Sequence, residues 1–260
     1  MNTLRLTLMQ IDIIWEDKPI NLNTIASSLS DLKGKTDLVV LPEMFTTGFS
    51  NNCEKLAETM NGPSIQFLQK EAITNQLALV GSVIIKEGIS FFNRCLFIYP
   101  NGDIEYYDKK HLFRMGAEAK NFTPGKSNNI ISFRGWNIKL QICYDLRFPI
   151  WARNKDNEYD LLIYTANWPK VRIDVWNALL KARALENLCY VCGVNRVGED
   201  SNSLIYNGSS ALYDAKGRDL SHIPLNKVAI HTLEINKEEL EEFRQKFPAW
   251  RDADSFLLTE

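Results

Sequence analysis

Short strand-like runs recur from one end of this chain to the other, and helix-patterned stretches separate many of them. Neighbouring parallel strands need a long crossover, commonly a helix, so this alternation restricts the chain to the α/β class. Strands are expected at residues 4–11, 37–41, 77–85, 95–99, 104–107, 138–142, 160–165, 189–195, 209–214 and 228–235. The first helix is expected at 19–32, where Leu22, Ile25, Ala26, Leu29 and Leu32 recur at helical spacing. A second starts at Pro63, and a third at 174–187 is capped by Asp174 and offers Lys181, Arg183 and Glu186 to a partner subunit. The last follows Asn236, with Glu239 three positions on completing a reciprocal cap. Pro100-Asn101-Gly102-Asp103 and Asp214-Ala215-Lys216-Gly217 read as hairpin turns. Hairpins beside strand–helix alternation point to two mixed sheets with helices outside them. No linker interrupts the pattern, so one domain is expected across residues 1–260.

Composition removes several functions. Thirty Lys and Arg face thirty-two Asp and Glu, a net charge of −2, so no broad positive field is available for nucleic acid. No apolar run reaches the roughly 18 residues of a membrane span, and the first residues alternate instead of forming a leader, so a cytoplasmic protein is expected. The odd number of cysteines, 5, fits reduced thiols. Cys189 and Cys192 form a C-x-x-C pair, but on a strand positions i and i+3 point to opposite faces, so packing is the better reading. The 3 histidines offer no i, i+4 pair and no glycine-rich phosphate loop occurs, so neither metal nor cofactor is expected.

Reactive side chains stand just past the ends of three strands. Cys143 follows the run 138–142 and opens a turn limited by Pro149; Glu43 follows Leu41-Pro42; Lys109 follows the run 104–107. Amide hydrolysis needs an activated nucleophile, a stabilised oxyanion and a proton for the departing amine. Cys143 would attack and form a thioester. Glu43 would take the thiol proton, pass it to ammonia and then activate water. Lys109 would favour the thiolate and, with the Tyr144 backbone N–H, complement the oxyanion.

Leu41-Pro42-Glu43-Met44-Phe45, Asp108-Lys109-Lys110-His111-Leu112-Phe113 and Ile142-Cys143-Tyr144-Asp145-Leu146-Arg147-Phe148-Pro149 resemble, in the same order, the signature segments of the nitrilase (carbon-nitrogen hydrolase) superfamily. The likeness covers a motif-bearing core of about residues 4–235, with a C-terminal helix and tail at 236–260. It implies a four-layer α-β-β-α sandwich, a homodimer formed near the nucleophile, and Lys109 instead of Lys110 as the catalytic lysine. It also implies a second glutamate, Glu118, ahead of the Thr123-Pro124-Gly125 turn. Tyr144-Asp145 replaces the Trp-Glu that follows the cysteine in nitrile-converting members, which demotes nitrile hydrolysis. Asn167-Trp168-Pro169, Arg172, Trp176 and Ala182-Arg183-Ala184-Leu185-Glu186-Asn187 resemble the bacterial omega-amidase branch, implying 2-oxoglutaramate or 2-oxosuccinamate as the small-molecule amide substrate. Such substrates carry a carboxylate, for which Arg172 is the candidate partner, with Trp168 and Tyr144 also at the binding site.

Three other functions stand beside this one. Another small-amide or N-carbamoyl amide hydrolase would use the same trio; a papain-type enzyme would use His111, His222 or His231 as base; an inactive scaffold would bind partners through its surface helices. Arg147 is read as a structural partner of Asp145 or a neighbouring strand. Trp176 and Phe49 are read as core residues.

Overall fold

The expected strands form, and they divide between two sheets. The computed structural model describes residues 2–258. Its strands are β1 (Thr3–Gln10), β2 (Leu38–Val40), β3 (Ala78–Glu87), β4 (Ser90–Ile98), β5 (Ile104–Asp108), β6 (Ile130–Phe133), β7 (Trp136–Ile142), β8 (Leu161–Ala166), β9 (Tyr190–Asn195), β10 (Val197–Glu199), β11 (Ile205–Asn207), β12 (Ala211–Tyr213) and β13 (Ala229–Asn236). Its helices are α1 (Lys18–Leu32), α2 (Cys53–Leu56), α3 (Pro63–Asn75), α4 (Glu118–Asn121), α5 (Pro149–Ala152), α6 (Ile173–Asn187) and α7 (Lys237–Lys246). One large sheet runs β13-β1-β2-β3-β4-β5, the other β12-β9-β8-β7-β6, and β10 and β11 form a separate two-stranded ribbon. In each, three parallel strands (β1-β2-β3; β7-β8-β9) are flanked by antiparallel ones.

Side-chain alternation builds the layers. Leu38 and Val40 point from β2 into a core shared with Ile138, Leu140 and Ile142 of β7, whereas Val39 points outward against Ile25, Leu29, Ile65 and Leu68 of α1 and α3. Trp176, Leu180 and Ala184 of α6 cover the other sheet. The result is helix, sheet, sheet, helix, the expected four-layer sandwich. Most of these side chains are fully buried, and each Leu, Ile or Val so buried contributes roughly 1.5–3 kcal/mol of transfer free energy.

Several local expectations are corrected. Asp174 lies inside the first turn of α6, where its charge suits the helix dipole, and the cap position is Arg172. Asn236 does cap α7, accepting from Glu238 and Glu239 N–H at 2.9 and 3.4 Å. Its own N–H turns to the Tyr190 hydroxyl instead of to Glu239. The turn after Asp214 closes (Gly217 N–H to Asp214 O, 2.9 Å) but leads only to an isolated bridge, because β13 pairs with β1. Arg183 is buried, not offered to a partner: it donates to Leu146 O at 2.6 Å, which ties α6 to the turn that carries Cys143. Cys189 and Cys192 are buried, unpaired core residues.

Candidate active site

The parallel strands point their carboxyl ends the same way, and the reactive side chains emerge there. Glu43 follows β2, Cys143 follows β7 and Asn167 follows β8, while Lys109 leaves the antiparallel strand β5. Lys109 is held by its neighbours on both sides. Arg94, itself buried, grips Asp108 at 2.7 and 2.8 Å, and the Lys109 N–H donates to Asn93 O at 3.0 Å. Gly125 donates to Lys109 O at 2.9 Å, an approach open only to glycine, since an added Cβ would lie 2.0 Å from Asp108 O.

These placements converge on a buried square of charge. The Lys109 ammonium donates to Glu43 Oε1 at 2.8 Å and to the two Glu118 oxygens at 2.9 and 3.0 Å; all three side chains have zero exposure. Asn93 Nδ2 bridges the same two carboxylates, 2.8 Å from Glu43 Oε1 and 3.1 Å from Glu118 Oε1. Glu118 Oε2 also accepts the Phe113 N–H at 2.6 Å. On the far side of Glu43, Oε2 accepts the Asn167 N–H at 2.9 Å, and Asn167 Nδ2 donates to the Glu43 backbone carbonyl. Asn93 and Asn167 thus fix the carboxylate that faces the thiol. Sequence reading quoted Asn167 only as part of a motif and missed Asn93, because an amide that only orients its neighbours has no chemistry of its own to betray it.

Cys143 opens a short 3₁₀ turn (Cys143–Arg147) with φ of +45°, a left-handed conformation that non-glycine residues adopt at a cost of about 1–3 kcal/mol. Asp145, fully buried, holds that strained turn. It accepts from the Ile142 N–H (3.1 Å), the Tyr107 hydroxyl (2.8 Å) and the His111 N–H (2.9 Å), and it lies 2.8 Å from His111 Nδ1. The nucleophile turn and the lysine loop are therefore clamped together through one carboxylate. Arg147, expected to pair with Asp145 or a neighbouring strand, instead lines the cleft beside Cys143.

That cleft is lined by Lys109, Cys143, Asn167, Tyr144, Trp168 and Arg172, and by Phe49, Phe113, Arg147 and Tyr206, which the sequence reading left out of the binding site. Trp176 stacks behind Trp168 at 5.5 Å and does not line it. His222 and His231 are exposed, and the His111 ring is engaged by Asp145 and stacked on Phe148 at 3.8 Å, so a papain-type pair has no base. Among the described residues no group of His, Cys, Asp or Glu is arranged to hold a metal ion.

A carbon-nitrogen hydrolase family model matches residues 5–245. This chain belongs to the carbon-nitrogen hydrolase family. The hydrolase is 42% identical over 260 residues to an omega-amidase, YafV, of Yersinia enterocolitica, covering 99% of this chain and 100% of that one. It is 29% identical over 251 residues to a 2-oxoglutaramate amidase of Bacillus subtilis, covering 95% and 96%. Its structure superimposes on a carbon-nitrogen hydrolase superfamily protein of Xanthomonas campestris, solved with an arsenic adduct in the active site, with a TM-score of 0.97, 41% identity and full coverage of both chains.

Electrostatics in the hydrolase follow from burial and from the charges that face one another. Burial alone would lower the Lys109 pKa, but Glu118 and Glu43 outweigh it and raise it, so the ammonium stays charged. Burial, with Glu43 adding repulsion, holds Glu118 above the usual carboxylate range against the pull of Lys109. Burial and then Glu43 also push the Cys143 thiol well up, and Lys109 offsets this only in part. Burial and Glu43 therefore oppose the Cys143 thiolate, and Lys109 favours it. Alkylation by iodoacetamide should modify Cys143 first, since it is 9% exposed and the other cysteines 4% or less. Its rate should keep rising with pH beyond about 9. A plateau below pH 7, with thiolate absorbance at neutral pH, would reveal a preformed ion pair.

Proposed function

We propose that this hydrolase cleaves the terminal amide of small carboxylate-bearing substrates, 2-oxoglutaramate or 2-oxosuccinamate, to the oxo acid and ammonia. Cys143 attacks the amide carbon while Glu43 accepts its proton. Lys109 has three N–H donors; two sets of carboxylate contacts occupy part of them, and the remainder, with the Tyr144 N–H at the open start of its turn, faces the developing oxyanion. The proton on Glu43 passes to the leaving nitrogen, ammonia departs, and the thioester forms. Glu43 then deprotonates a water that attacks the thioester, and the thiol returns as the acid leaves. Glu118 holds Lys109 in place and charged.

The observation that carries this reading is the buried Glu43–Lys109–Glu118 cluster beside a thiol in a cleft that also holds Arg172 and Trp168. The similarity to omega-amidase and 2-oxoglutaramate amidase supports the substrate class. The trio alone would serve another small amide or an N-carbamoyl compound equally; the guanidinium in the cleft favours a substrate with a carboxylate. The same reading takes the chain as one domain, acting in the cytoplasm as a homodimer. Exposed Ile150 of α5, Val171 just before α6 and Leu185 of α6 are apolar residues that a partner subunit would cover.

Ammonia release from 2-oxoglutaramate, 2-oxosuccinamate, glutamine, asparagine, an N-carbamoyl amino acid and an aliphatic nitrile tests it. The two oxo acid amides should exceed every other compound in kcat/KM by at least tenfold. A preference for the N-carbamoyl amino acid or the nitrile contradicts the proposal.

A further inference from the structure

Asp145, two residues past Cys143, is fully buried, and the basic side chain that meets it is that of His111. Both donors to its Oδ1 come from this one residue, the His111 N–H at 2.9 Å and the ring nitrogen Nδ1 at 2.8 Å. Facing a carboxylate, Nδ1 must carry the hydrogen. Oδ2 takes the Tyr107 hydroxyl and the Ile142 N–H. The imidazole is itself fixed, stacked on Phe148 at 3.8 Å with Trp151 edge-on at 6.0 Å, and the Trp151 indole N–H donates to the Tyr107 hydroxyl at 2.9 Å. His111 stands outside the lining of the cleft and faces a separate surface groove with Lys110 and Arg114. It is not placed to touch a substrate held at Cys143.

The bonds at Asp145 cross the sandwich. Tyr107 and His111 stand two residues to either side of Lys109, on the chain leaving β5 of one sheet, whereas Ile142, Cys143 and Asp145 lie at the end of β7 in the other. The separation of ammonium and sulfur is therefore set at joints close to both. Cys143 holds φ at +45°, and a strained conformation persists only where its surroundings over-determine it. We propose that His111 is a positioning residue: by donating its Nδ1–H to Asp145 it holds the Cys143 sulfur in register with Glu43 and Lys109, and so governs the rate of acylation without taking part in substrate binding. This rests on the roles of those three residues proposed above. A reacting atom displaced by about 1 Å costs on the order of 10²-fold in rate, so a lost donor this near the nucleophile is enough to matter.

The test is kcat and KM, on whichever amide the enzyme cleaves fastest, for the wild type, His111→Phe and His111→Asn. Phenylalanine keeps the stack on Phe148 and has no donor; asparagine gives up the stack and can place Nδ2–H where Nδ1–H was. His111→Phe should lower kcat by about 10²-fold and change KM by less than about threefold, whereas His111→Asn should keep kcat within about threefold of wild type. An Asn variant no better than the Phe variant overturns the proposal, since packing alone would then account for the loss. So does a His111→Phe variant with wild-type kcat, or one whose loss lies wholly in KM. Where His111→Phe fails to fold, His111→Gln, which carries its donor one carbon farther out, should show the same loss in kcat, and wild-type kcat in it overturns the role of the donor. All these outcomes leave the thioester mechanism standing. Turnover by Cys143→Ala at the wild-type rate overturns that mechanism and this inference with it.

Discussion

Replacing Glu43 by glutamine should lower kcat by at least about 10³-fold, because in the proposed mechanism one carboxylate moves a proton at three successive steps and each placed acid or base is worth about 10²–10⁴. Burial holds the Cys143 thiol pKa up, and without Glu43 no carboxylate faces the sulfur to take its proton as it attacks. Oε1 of the carboxylate is occupied by Lys109 and Asn93, and Oε2 meets the Asn167 N–H on the side of the thiol. A glutamine amide can still accept from Lys109, so the fold should survive. Steady-state ammonia release checks the result, with His222→Ala and His231→Ala as controls that should retain full activity. Residual turnover above a tenth of wild type would mean that another group takes the proton.

Lys109→Met should cost stability as well as activity. Its removal leaves Glu43 and Glu118 buried side by side with only Asn93 between them, and breaking a buried ion pair typically costs about 3–5 kcal/mol. Glu118 is already held above the usual carboxylate range by burial and by Glu43, so its folded form binds a proton more tightly than the unfolded chain does. That contribution is complete below the unfolded pKa and is lost as pH rises through the folded one. Without Lys109 the effect grows: denaturant unfolding of the variant should show its largest deficit near neutral pH and a smaller one near pH 5, and adding Glu118→Gln should restore part of it. A deficit independent of pH would mean that the carboxylates are compensated by groups other than Lys109.

The sheets and the long helices were legible because their apolar residues keep strict periods. The part that stayed hidden was the first half of β4, where Asn93 and Arg94 interrupt the apolar alternation although both are almost fully buried. They are buried because they have work there: Asn93 bridges the two carboxylates, and Arg94 anchors the residue before Lys109. A polar residue in an interior strand reads as a strand end from sequence, and here it marks the site. Glu43, Lys109 and Cys143 were legible from their positions beyond strands, and Glu118 only through family resemblance, since nothing local in its loop tells of its burial. Arg147 was misread because its near neighbour Asp145 looked like its partner. Three donors from β5, β7 and the lysine loop already fill Asp145, and sequence alone cannot count them.

In the proposed mechanism a covalent bond joins the substrate acyl group to Cys143. Rapid acid quench of the enzyme with 2-oxoglutaramate, followed by intact mass and peptide mapping, tests it most directly. The expected result is an added mass equal to the substrate less ammonia, on the peptide that contains Cys143 and absent from Cys143→Ala. Ammonia release by Cys143→Ala at the wild-type rate, or an adduct carried by any other residue, would contradict it.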